Sequence, residues 1–256
     1  MNNTYWMYIR ETYSTSTLLR EQYTDSLPHL YTIRTDFQTA GRGQAGNSWE
    51  SEDGKNLLFS ALLRYDNIQA TQQWRLSLLV SVTLWEVLAN YLPQESLSIK
   101  WPNDIYFNDK KLAGILIENC LSGQHVGYSI IGIGLNVNQT IWRSSAPNPI
   151  SMKEIMQQEY DAETLMNEWI TAIRLWETRS TNELEKAYLQ HLYRRQRWHT
   201  YVEREVSVAP TAIAHSGVEG AFLAEFVGIT PQGELILRKT NNEVKTYHFK
   251  QIRFVI

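Results

Sequence analysis

Three stretches bring together residue types that could act on an anionic, activated substrate. The first is "TDFQTAGRGQAGNSW", Thr35 to Trp49, which sets Gly41, Gly43 and Gly46 around one permanent cation, Arg42, and ends on an indole. Glycine's conformational freedom lets successive amides line one concave side, a nest for anionic oxygens. A guanidinium adds a planar fork of donors that suits phosphate or carboxylate. No Lys–Ser or Lys–Thr pair follows, so this is not a phosphate loop of the GxxxxGK[ST] kind; an ordinary flexible turn is the competing reading. The second stretch, "KWPNDIYFNDKKLAGILIE", runs from Lys100 to Glu118. Pro102 fixes the backbone after a strand and leaves Asn103 and Asp104 at its end, with Lys100 before them and Lys111 across a hairpin. Two cations, a carboxylate and a carboxamide then gather where a sheet meets solvent. A solvated hairpin tip reads equally well, and Lys110 is such a tip residue. In the third, "IGIGLNVN", Gly132 and Gly134 thin out a buried strand that Asn136 ends. With Gly114, they predict the close approach of a ligand or another backbone, although tight packing accounts for them too.

These groups need a scaffold, and the hydrophobic periods outline one. Ser14 or Thr15 is placed to cap a helix through "TSTLLREQY". "YTIRTDF" alternates as a strand, and "NLLFSALLR" is a near-continuous apolar run suited to a strand covered on both faces. Trp74, Leu78, Val82, Trp85, Ala89 and Leu92 recur at helical spacing until Pro93 ends the pattern. "LSIKW", "DIYF", "KLAGILIENC" and "HVGYSIIGIGLNV" read as strands, the middle two joined by a turn at Asn108 and Asp109. Two or three helices fill Ser151 to about Arg197. After a boundary near Tyr201, "FLAEFVGITPQGELILRKTNNEVKTYHFKQIRFVI" alternates between turn signals, as a small meander or barrel does. The order is too irregular for a doubly wound fold and predicts a mixed sheet with helices on one face, an α+β class.

The totals set bounds. A chain of 256 residues with 43% hydrophobic and 12% aromatic content can bury a sizeable core. A formal charge of −3 offers no bulk attraction to nucleic acid or an anionic membrane. Cys120 is the one cysteine, which excludes an intrachain disulfide and a thiolate metal cage. The start does not read as a signal peptide and no apolar run reaches membrane-spanning length, so a soluble, cytoplasmic protein is expected. His29, His125, His191, His199, His215 and His248 lack the i, i+4 spacing of a metal helix and read as surface or satisfied core residues.

In their order, "GRGQAGNSW", "KWPND…KLAGILIE" and "GIGLNVN" resemble the biotin protein ligases. "STS" at Ser14–Ser16 and the terminal β segment extend the resemblance over nearly the whole chain. It implies a fold like that of class II aminoacyl-tRNA synthetases and biotin ligases. Residues 1–200 would form a catalytic biotin- and ATP-binding domain and 201–256 a small SH3-like β-barrel. It also implies the activity: a biotin–[acetyl-CoA-carboxylase] ligase makes biotinyl-adenylate from biotin and ATP, then biotinylates a lysine of a biotin carboxyl carrier protein. Arg42 and Lys111 would act on the carboxylate and α-phosphate, with Lys100 nearby and Asp104 as an orienting group or base. Ser14, Thr15, Ser16 and Gln38 would hold the ureido ring, and Gly41, Gly114 and Ile115 would lie along biotin. Gly43, Gln44, Trp49, Asn103 and Asn136 would meet the adenylate. Mg²⁺ would arrive on ATP, near Asn103 and Asn136, with no metal site of the protein's own. The mixed anhydride must be shielded from water, which gives a mobile glycine loop its purpose.

Many relatives carry more arginine in this loop, where this chain has Gln44, Ala45 and Asn47, and Lys250 stands where many have glycine. Only about a dozen residues precede Ser14, too few for a helix-turn-helix, so DNA repression and nucleic-acid or membrane partners are not expected. A monomer and a homodimer are both compatible with the sequence. The rivals are a lipoate or octanoyl transferase and a biotin or adenylate sensor without transfer activity.

Overall fold

A computed structural model describes residues 5–65, 68–143, 148–204 and 220–256. The chain divides into two compact units, Met1–His191 and Leu192–Ile256. In the first, the order is β1 (Trp6–Thr12), α1 (Thr15–Glu21), β2 (Thr32–Gln38), β3 (Leu57–Leu63), α2 (Trp74–Ala89), β4 (Leu97–Lys100), β5 (Asp104–Phe107), β6 (Lys110–Ser122), β7 (His125–Leu135), α3 (Met152–Met156), α4 (Ala162–Trp176) and α5 (Thr181–Gln190). The strands form one seven-stranded sheet in the order β1-β2-β3-β7-β6-β5-β4. Only β1 and β2 run parallel, joined through α1; every other neighbouring pair is antiparallel.

The centre of the sheet is covered on both faces. Every residue of β3 is buried, which is what its unbroken apolar run requires. Successive strand residues point to opposite faces. Leu62 packs with Leu19 of α1, Ile33 and Ile130, whereas Phe59 meets Trp169 of α4 edge-on at 5.1 Å. Helices therefore flank both faces. The one-face expectation is corrected: element order does not say which side of a sheet a short crossover helix takes. On the Phe59 side, α2 packs against α4. Burial of α2 runs around most of its circumference, as an inner helix needs. Among the described residues no helix is long and apolar enough to cross a membrane.

The second unit holds β8 (Trp198–Glu203), β9 (Ala221–Ile229), β10 (Leu235–Lys239), β11 (Val244–Tyr247) and β12 (Ile252–Phe254). They form a five-stranded sheet in the order β11-β10-β9-β8-β12. A barrel requires the two outermost strands to pair. Among the described residues β11 and β12 do not, so the sheet is open and the SH3-like barrel is not found. Period-2 alternation serves an open sheet as well as a closed one, and β12 is only three residues long.

Candidate active site

The even-numbered residues of β3, β6 and β7 share the face on which α1 lies. Register sets Ser60 beside Gly132, Gly132 beside Leu116 and Gly134 beside Gly114. At one end is a cluster of hydroxyls. Ser14 precedes α1, but its side chain makes no capping bond; its Oγ lies 3.1 Å from Ser16 Oγ instead. Thr15 reaches two ways, with Oγ1 2.8 Å from Ser60 Oγ and 3.2 Å from Gln38 Oε1. The same carboxamide oxygen accepts from the Thr15 backbone amide at 2.8 Å. Ser14, Thr15, Ser16 and Ser60 are all buried. Hydroxyl and carboxamide groups held in apolar surroundings suit a neutral polar ring with a carbonyl and N–H groups.

Further along this face are two cation–carboxylate pairs. Lys111 Nζ is 2.7 Å from Asp104 Oδ2. Arg42 Nη2 donates to Glu118 Oε1 at 2.8 Å, while its other terminal nitrogen donates to Thr17 Oγ1 at 3.2 Å. Between them lies the glycine loop, folded inward as a tight hairpin. Trp49 N–H donates to Gly41 O at 2.9 Å and Gly43 N–H to Asn47 O at 2.6 Å. The Gly43 amide therefore closes the loop on itself instead of joining an outward-facing nest. Gln44 Nε2 donates to Asn103 Oδ1 at 2.9 Å and to Ile115 O at 3.3 Å. The Trp49 indole lies over the glycine pair: a Cβ built on Gly114 comes within 2.7 Å of its ring, and one on Gly134 within 2.6 Å of Nε1. Side chains at those positions would expel it. Among the described residues the buried Trp49 Nε1–H has no acceptor, and Lys111 Nζ lies 5.6 Å from the ring centroid.

The sequence thus brings most of its candidates together, but several partners differ from expectation. Asn103 is buried and donates to Ile115 O at 3.2 Å. Asn136 acts on the scaffold: its Nδ2 donates to Lys111 O at 3.3 Å and Ile150 O at 3.1 Å, fixing the strand that carries Lys111. Lys100 Nζ turns to the Tyr106 hydroxyl at 3.2 Å. Three further residues belong to the site. Ser60 is one hydroxyl inside an apolar strand, detectable only as the polar exception in "LLFSALL". Glu118 ends the second motif without any spacing cue to its role. Arg20 shares Glu118 at 2.9 Å and depends on how α1 is turned.

Residues 8–136 match the biotin/lipoate A/B protein ligase family. The chain is 39% identical over 127 residues to the bifunctional ligase/repressor BirA of Bacillus subtilis, a match covering 49% of this chain and 38% of that protein. With BirA of Escherichia coli it shares 30% identity over 217 residues, covering 79% and 65%. The chain thus spans less than two thirds of either relative. The fold resembles that of a biotin protein ligase from Aquifex aeolicus in complex with biotin and ATP, with a TM-score of 0.74 and 23% identity over 99% of this chain and 100% of that one. The family match spans both sheet glycines, the loop and the hydroxyl cluster, and on it the chain belongs to the biotin/lipoate A/B protein ligase family.

Proposed function

We propose that the chain is a biotin–[acetyl-CoA-carboxylase] ligase. The observation that carries this reading is the convergence, on one glycine-thinned sheet face, of a buried hydroxyl–carboxamide cluster with the Lys111–Asp104 and Arg42–Glu118 pairs. A ureido ring fits the first, and a carboxylate meeting a triphosphate fits the second. In the first half-reaction a biotin carboxylate oxygen bonds to the α-phosphorus of ATP, and the α–β bridging oxygen leaves with pyrophosphate. Two anions must be held together, so the protein's contribution is positioning and fixed positive charge. Lys111 and Arg42 supply that charge, each moving from its resting carboxylate to the ligand.

Mg²⁺ supplies charge neutralisation on the phosphates when bound. In this reading the ion arrives on ATP rather than on a metal site of the protein's own. Asn103, whose Oδ1 accepts from Gln44 Nε2 at 2.9 Å, and Asn136 are the carboxamides that would lie near that ion. In the second half-reaction the carrier lysine nitrogen bonds to the biotinyl carbonyl carbon, the C–O bond to phosphate breaks and AMP leaves. The amine must shed a proton first, and in this reading Asp104, 2.7 Å from Lys111 Nζ, orients it or takes that proton.

The test is biotin-dependent exchange of labelled pyrophosphate into ATP, with lipoate run in parallel. Exchange with biotin supports the ligase, and exchange with lipoate alone would sink it. Lys111→Ala is expected to slow adenylate formation by about 10²- to 10³-fold, as loss of a transition-state charge partner does, while biotin binding weakens far less. Equal losses in both steps would move Lys111 from activation to binding.

A further inference from the structure

Thr17 and Arg20 stand one turn apart on the same side of α1, next to Glu118 of β6. Arg20 Nη2 lies 2.9 Å and Arg42 Nη2 2.8 Å from the same Glu118 oxygen, Oε1. Arg42 Nη1 also faces Oε2 at 3.5 Å and Thr17 Oγ1 at 3.2 Å. Glu118 is the least exposed of the three side chains, at 17% against 47% for Arg20 and 41% for Arg42. Two guanidiniums converging on one oxygen repel each other, and the carboxylate between them makes the arrangement stable. Arg42 has to leave Glu118 to serve a phosphate. A half-buried carboxylate left alone beside a polyanion would oppose that ligand; one still paired with Arg20 does not. The loop itself has no second cation to do this, having Gln44, Ala45 and Asn47 at its other positions.

We propose that Glu118 and Arg20 form the resting dock of Arg42. Glu118 holds the guanidinium while the site is empty, and Arg20 keeps Glu118 neutralised after the guanidinium moves to the adenylate. Both are positioning residues that act through Arg42. The proposal rests on the ligase reading for the identity of the anion, but not for the existence of the dock.

The two residues should act with opposite sign, since the dock competes with the ligand for Arg42. Glu118→Gln weakens the hold on Arg42. In the ligand-free protein the Gly43 and Trp49 amides should then exchange about fivefold faster, and the KM for ATP in biotin-dependent pyrophosphate exchange should fall by about as much, the scale of one exposed charge pair. Arg20→Gln leaves Arg42 as the one cation paired with Glu118 among the described residues. It should slow the same amides and raise the KM for ATP several-fold, with a smaller change in kcat. The double variant should match Glu118→Gln alone, because Arg20 acts on the loop only through that carboxylate. Unchanged loop exchange in Glu118→Gln, or shifts of the same sign in the two single variants, overturns the dock. Should Glu118→Gln fail to fold, Arg20→Gln at its exposed helix position decides alone: faster or unchanged loop exchange overturns the proposal. A wild-type protein without biotin-dependent exchange would remove the ligase reading, and the ligand-free loop measurement would still decide the dock.

Discussion

Thr15 shows how much one side chain can organise at this site. Its hydroxyl touches both Gln38 and the fully buried Ser60. Thr15→Val keeps the shape and removes that link, leaving the buried Ser60 hydroxyl without this partner while Gln38 keeps the Thr15 backbone amide. A buried polar group so stranded costs about 1–3 kcal/mol. The expected result is a matching loss of stability in denaturant titration and a biotin affinity reduced far more than that for ATP. The sequence shows Thr15 plainly, because "STS" precedes a helix, and it shows Arg42 and Lys111 because isolated cations among glycines or at a hairpin are conspicuous. Their resting partners are hidden. Glu118 pairs with an arginine 76 positions away, a separation at which no local pattern operates.

Asn136 ties together the elements around Lys111. Its two donated hydrogen bonds join the end of β7 to Lys111 at the start of β6 and to Ile150, next to Ser151, which caps α3. Asn136→Ala is expected to cost about 1 kcal/mol through the two hydrogen bonds lost, with Lys111 O still accepting from Ile150 N–H, and to lower the rate of adenylate formation through a displaced Lys111. Intact stability with lost ATP binding would instead assign the carboxamide to the nucleotide. Among the elements, β3, α2, β6 and β7 are legible because burial imposes their period. β1 is not: "WMYIRET" mixes exposed and half-buried positions, and as an edge strand paired only to β2 it has no clean alternation. The side of the sheet taken by α1 is equally illegible, since Leu19 and Trp169 are both apolar helix residues in the sequence and only the fold assigns them to opposite faces.

At the scale of the whole molecule, the second unit has its own electrostatic anchor. Glu203 accepts from the Tyr247 hydroxyl at 2.7 Å and pairs with Lys239 and Lys245, each at 3.0 Å. The hydroxyl bond first, then the two ammonium groups, pull its carboxyl down to about 2 from an ordinary 4.5. A carboxylate lowered on folding contributes stability that is fully present above pH 4.5 and is lost as pH falls through about 2. Glu203→Gln should therefore flatten the acid limb of the calorimetric unfolding profile across that window; a limb of unchanged slope would place the acid sensitivity elsewhere. This unit also marks the limit of pattern reading, for strand count and alternation are visible in "FLAEFVGITPQGELILRKTNNEVKTYHF" but closure depends on whether the outermost strands meet. The first unit holds a consequence of another kind. With the Trp49 indole seated on Gly114 and Gly134, an incoming ring there would trade places with a resident aromatic and release little water. Its heat-capacity change would be muted for the area covered, and its affinity would measure the gap between two rival contacts rather than the worth of one.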